Sequence, residues 1–292
     1  MTQLVQALWG GILFGAVYGL MALGLTLVWG AVRFLNLAHG AIYIVGAYAA
    51  YFVVSRLNLP ILIALPAGVL AAAAFSYLMH LVFIRPVIGK PGFDNSTLIA
   101  TVGLSIAVSA AAILIFNPEY KVVPPVVAGS LSVADVQITK QGLLVIGVSL
   151  ALFAVVYLFL TYTRQGMAIR AVSQQQEAAS LMAIPVVRTY GMVIAISGAL
   201  AGLAGILLSP FFFLNPQSGF NPMIQALIVT IFGGLGSVRG ALVAGFVLGI
   251  FESFVEVYYG VAWAQPGVFL LIIIMLIVRP NGLFGIGEVR RL

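Results

Sequence analysis

The feature that most limits what this chain can fold into is the length of its uncharged stretches: residues 7–30 and 141–162 hold no Asp, Glu, Lys, Arg or His at all. About 20 apolar residues suffice to cross the hydrocarbon core of a bilayer as a helix. Inside that core no water pairs with the backbone, so only helices and closed β-barrels satisfy their own amides and carbonyls. Barrel strands alternate in polarity over about 10 residues, and these stretches run apolar for far longer. The expected fold is all-α, a polytopic integral membrane protein of about eight or nine transmembrane helices with broken or re-entrant segments. Composition agrees, with 63% of 292 residues hydrophobic and 7% charged, against roughly 25% charged in an ordinary soluble domain. The mean hydropathy of +1.18 is spread along the chain, and 30.8 kDa leaves no room for a sizeable soluble domain. Residues 1–292 are therefore read as a single transmembrane domain.

Apolar segments fall at about 7–30, 40–54, 60–84, 97–116, 141–162, 189–209, 222–235, 240–257 and 266–279. With the N-terminus outside and the segments alternating, Arg33, Arg85, Lys90, Arg164, Arg170, Arg188, Arg239, Arg279, Arg290 and Arg291 lie inside. Only Arg56, Lys121 and Lys140 lie outside. That asymmetry satisfies the positive-inside rule and puts the C-terminus in the cytoplasm. Single positive charges at the ends of apolar runs also exclude a nucleic-acid binder, whose charge would gather on one exposed face.

Two connections exceed hairpin length. The outer one, residues 117–140, carries Pro118, Pro124 and Pro125 and then a β-branched stretch over Val133–Thr139, which reads as an extracytoplasmic cap or hairpin. The inner one, residues 164–188, is amphipathic: Arg170, Ser173, Gln174, Glu177 and Ser180 share one side of a helical wheel and Ala168, Val172, Ala179 and Met182 the other. Pro185 stops that helix.

Glycines recur four apart at Gly11, Gly15 and Gly19, at Gly198 and Gly202, and at Gly245 and Gly249, a spacing that lets helices approach closely in lipid. Asn36 and His39 stand where one apolar run ends and the next begins, either as a helix cap and its first turn or as part of a broken-helix substrate path. Thr97, Thr101, Ser105 and Ser109 form a polar stripe, which either lines a pathway or bonds back to its own helix. Glu252 and Glu256, near Tyr258 and Tyr259, are placed at the outer interface. With two histidines, no cysteine and no nucleophile or phosphate-loop motif, neither a catalytic residue nor a metal site is expected.

Four motifs in order then carry a resemblance: NLAHG at Asn36–Gly40, EAASLMAI at Glu177–Ile184, FGGLGSVRGALVAG at Phe232–Gly245 and RPNGLFG at Arg279–Gly285. Together they resemble the permease subunits of bacterial ABC importers for branched-chain amino acids, most of all the shorter, H-type member of the Liv pair. The resemblance implies a permease domain of the bacterial inner membrane, working by alternating access, with a related second permease subunit, two cytoplasmic ATPases and an extracytoplasmic solute-binding protein as partners. It implies no cofactor on this chain, ATP being bound by the partners. The substrate pathway would run by Asn36, His39, Thr97, Thr101 and Ser105. The loop at 164–188 would be the coupling loop, with Arg170, Glu177, Ala178, Ala179 and Met182 against an ATPase. One position departs from the family: Ala183 stands where a glycine usually ends the loop helix, leaving Pro185 as the expected stop. Import of urea, short amides or other amino acids is the alternative within this class, and a channel or a secondary transporter lies further off.

Overall fold

The computed structural model describes residues 2–133 and 136–285; Arg290 and Arg291, counted above among the inside charges, lie outside the described residues. Its helices are α1 (Thr2–Val32), α2 (His39–Ser55), α3 (Ile61–Met79), α4 (Phe93–Phe116), α5 (Lys140–Tyr162), α6 (Arg164–Gln174), α7 (Gln176–Leu181), α8 (Val186–Leu208), α9 (Phe220–Gly233), α10 (Val238–Tyr259) and α11 (Val261–Val278). Every apolar segment expected from the sequence is a helix. Among the described residues seven helical stretches, including α3 with its extension to Val87, are long and apolar enough to cross a membrane, while α2 and α9 are shorter apolar helices. Between α4 and α5 the expected hairpin forms: β1 (Ser130–Val133) pairs antiparallel with β2 (Val136–Thr139).

The chain divides into two compact units, one made of Met1–Thr26, Val127–Phe153 and Gln225–Leu292, the other of Leu27–Val126 and Ala154–Ile224. In the first, glycines bring α1 and α10 together. A Cβ placed on Gly15 would lie 2.7 Å from the Phe246 Cα and 2.9 Å from the Gly245 carbonyl oxygen, so both motif glycines serve packing, as their spacing predicted. The same unit explains why FGGLG and RPNGLFG occur together. The last carbonyls of a helix lack partners of their own. Here the Leu283 and Phe284 amides donate to the Phe232 and Gly233 carbonyls at the end of α9, at 2.9 and 3.0 Å. Gly282, at φ +81, turns the chain onto Gly234 at a distance no side chain would fit.

Glu252 is covered by protein: its Oε1 accepts from the Tyr18 hydroxyl (3.4 Å) and from Gln225 Nε2 (3.3 Å). One turn of helix separates it from Glu256, and α1 and α9, which sequence spacing cannot see, cover it.

The second unit is built on α2, α3 and α8. Gly46, Gly68 and Gly202 set these three backbones against one another, a Cβ on Gly68 falling 2.6 Å from the Gly46 carbonyl oxygen. Ser76 of α3 donates to the Ile194 carbonyl of α8 at 2.7 Å, so this buried hydroxyl is satisfied across the interface.

Candidate translocation site

In the second unit the α1–α2 link, α4 and the α8–α9 connection surround a cavity of about 780 Å³. The link is short because two local devices turn it. Arg33 ends α1 in the left-handed region, at φ +59. Asn36 then makes an Asx turn, its Oδ1 accepting the Ala38 amide at 3.1 Å. The helix cap is Ala38, two residues after Asn36, and His39 is the first residue of α2. Asn36 therefore shapes the link rather than capping the helix, and its Nδ2 is buried without a partner among the described residues.

Of the residues proposed for a substrate path, Ser105 lines the cavity directly. Asn36, His39, Thr97 and Thr101 are buried behind its wall, none more than 1% exposed. Thr97 donates back to the Phe93 and Asp94 carbonyls (2.8 and 3.0 Å) and Thr101 to the Leu98 carbonyl (3.0 Å). Thr101 Oγ1 also accepts the Leu37 amide at 3.3 Å, which ties the link to α4. The stripe thus divides along its length: its threonines bond within and between helices, while Ser105 and Ser109 face the opening.

The opposite wall comes from the α8–α9 connection and the start of α9: Asn215, Gln217 and Ser218, then Asn221 and Met223. Most of these carry no functional signal of their own in the sequence. They stand in a run of Asn, Gln, Ser, Gly and Pro between two apolar segments, LNPQSGFNP, a composition that reads as an ordinary turn. The structure shows what holds the run in place. Asn215 Oδ1 accepts the Gln217 amide (2.7 Å), Ser218 Oγ accepts the Asn215 amide (3.2 Å), and Leu214 exchanges two backbone bonds with Lys121 (2.8 and 2.9 Å). Gly219 meets Gly40 backbone to backbone, so the α8–α9 connection closes on the start of α2 with no room for a side chain on either residue. The remaining lining is apolar and mostly aliphatic, including Ile44, Val102, Ile106 and Ile113, with Phe220 as its aromatic member. Apolar walls with a few amides and hydroxyls suit a small molecule with a hydrocarbon side chain and polar ends.

The same unit carries the amphipathic connection. Instead of one helix it is two, α6 and α7, parted at Gln175, whose extended backbone (φ −155, ψ 108) resets the wheel. Val172 and Ala179 are buried as expected, but Met182 is 78% and Leu181 87% exposed, because the break turns the end of α7 outward. Glu177 and Ala178 are exposed, and Arg170 donates to the Thr161 carbonyl at 3.1 Å. Ala183 itself ends α7. At φ +61 it takes the left-handed turn, with its amide on the Ser180 carbonyl and the Ile184 amide on the Ala179 carbonyl. The stop is therefore a glycine-type cap made by an alanine, ahead of Pro185.

Comparison with known proteins gives the family of the chain. The family model for "Branched-chain amino acid transport system / permease component" matches residues 7–278. The high-affinity branched-chain amino acid transport system permease protein BraD of Pseudomonas aeruginosa is 30% identical, with 98% of this chain and 97% of that protein covered. LivH of Salmonella typhimurium, described in the same terms, is 29% identical over 98% and 97% of the two chains. A probable LivH of Methanocaldococcus jannaschii is 28% identical over 95% and 91%. Among solved structures, PsaBC from Streptococcus pneumoniae in complex with Fab shares the fold, with a TM-score of 0.50 at 15% identity over 96% of this chain and 93% of that one. This chain belongs to the permease-component family of branched-chain amino acid transport systems.

Proposed function

We propose that this chain is the membrane-spanning permease subunit of an ATP-driven importer and moves leucine, isoleucine and valine inward by alternating access. The observation that carries this reading is that one compact unit holds both parts such a device needs. Its cavity has aliphatic walls and sparse amides, and its α6–α7 pair exposes Leu181 and Met182. A branched side chain gains by leaving water for apolar walls, about 25 cal/mol per Å² buried. Ser105, Ser109, Asn215 and Asn221 meet the zwitterionic end. Among the described residues no charged side chain lines the cavity, so substrate passes without being held, and high affinity resides in a separate solute-binding protein.

One of two ATPase subunits docks on α6 and α7, where Arg170, Glu177, Ala178, Ala179 and Met182 form or support the contact, Ala179 from beneath. ATP is bound by those partners, and this chain needs no cofactor of its own. Asn36, His39, Thr97 and Thr101 act on the path as its supporting wall, Ser105 as its surface. A related second permease completes the pair. The protein lies in the inner membrane with its N-terminus outside and its C-terminus in the cytoplasm, an orientation supported by the charge asymmetry of its connections. Residues 117–140 then face outward toward the binding protein and residues 164–188 face the cytoplasm.

The test is uptake of labelled leucine by cells with and without this gene, in a host lacking other leucine systems. Uptake competed by valine and not by urea is expected; uptake of urea with no leucine component would overturn the substrate.

A further inference from the structure

A second cavity, of about 260 Å³, lies in the same unit, where the end of α1, the start of α4 and the α6–α7 joint meet. Its walls carry one cation and one anion, Arg33 and Asp94, with no ion pair between them among the described residues. Arg33 donates to the Ser173 carbonyl at 3.4 Å, one of the last carbonyls of α6. The Asp94 carboxylate has no hydrogen-bonding partner among the described residues. Gln176 accepts from the Tyr190 hydroxyl at 3.1 Å, which fixes one amide at the wall. Both side chains are exposed and line the same cavity, so their charges are open to an occupant as well as to water. The volume is just below that of drug-sized pockets, about 300–1,000 Å³, which leaves room for a small molecule only.

We infer that this cavity is a binding site for a free zwitterionic amino acid, its carboxylate toward Arg33 and its ammonium toward Asp94, separate from the translocation cavity. Val32 and Phe93 offer the aliphatic side chain an apolar wall. The site joins three elements: the link that shapes the translocation cavity, the base of α4, and the helix pair proposed to receive an ATPase. An occupant bridging Arg33 and Asp94 holds these elements in one arrangement and slows the cycle. On the proposed orientation the site opens to the cytoplasm, so the transported solute restrains its own import as it accumulates. This consequence rests on the proposed function.

The test uses the complete transporter with its partners in proteoliposomes charged with ATP, comparing the native chain with D94N and R33Q. Native uptake with a leucine-free lumen establishes the transport reading; its absence would refute that reading and not the site. Against that baseline, luminal leucine lowers the initial rate about fivefold, the low end of ordinary allosteric coupling. D94N imports normally with a leucine-free lumen and loses the luminal effect, and R33Q, read against its own rate with a leucine-free lumen, loses it too. Amine-only and carboxylate-only analogues of leucine in the lumen leave the native rate unchanged. A native rate indifferent to luminal leucine, variants inhibited as strongly as the native chain, or equal inhibition by a single-charge analogue would each overturn the proposal.

Discussion

Replacing Ala183 with glycine should tighten the end of α7. Ala183 holds φ +61, and three bonds depend on that turn: Met182 to Ala178 (3.2 Å), Ala183 to Ser180 (3.0 Å) and Ile184 to Ala179 (3.1 Å). A residue with a Cβ is disfavoured in the left-handed region by about 1–2 kcal/mol. Glycine removes that cost and returns about 0.5–1 kcal/mol through its greater freedom in the unfolded chain. The net is a stabilisation of about 0.5–1 kcal/mol, local to the α7 terminus. In hydrogen exchange that corresponds to amides of Met182 and Ile184 exchanging about two- to fivefold more slowly in A183G, read by mass spectrometry on a peptide covering residues 176–185. A183V, with a branched side chain at the same φ, should exchange faster than the native chain. Equal or faster exchange in A183G would refute the reasoning, since it would mean that the turn carries no strain to relieve.

Other substitutions test other parts of the molecule. G40A or G219A puts a Cβ into the backbone contact at the cavity wall and should destabilise by about 1–3 kcal/mol; a native melting temperature in detergent would contradict the contact. T101V deprives the Leu37 amide of its acceptor and should cost about 1–3 kcal/mol in thermal unfolding, whereas T101S should restore the native value. E252L leaves the Tyr18 hydroxyl and the Gln225 amide without their acceptor, and should cost about 1–3 kcal/mol; E252Q keeps an acceptor and should melt near the native protein. Combining E177K with A178W at the exposed face of α7 should abolish ATP-driven uptake while the circular dichroism spectrum stays native. Normal uptake by that double variant would sink the coupling assignment.

The sequence by itself determined the architecture, because the bilayer enforces it locally. A long uncharged run has one stable form in lipid, so every apolar segment became a helix, including α2 and α9 at 17 and 14 residues. The β-branched stretch after Pro125 became a hairpin and the spaced glycines became helix contacts, since strand propensity and small-residue spacing are also local signals. The site was only partly legible. Asn36 and the Thr97–Ser105 stripe were found, but which of their atoms meet the cavity depends on hydrogen bonds such as Leu37 to Thr101, made across 64 residues. The wall from Asn215 to Asn221 read as a turn, because nothing in its composition says that Gly219 will meet Gly40. The burial of Glu252 was invisible for the same reason: Tyr18 lies 234 residues away along the chain. Secondary structure follows from what each residue asks of the solvent around it; which polar groups face the cavity and which are covered is fixed by partners distant in sequence, and only the packed fold supplies them.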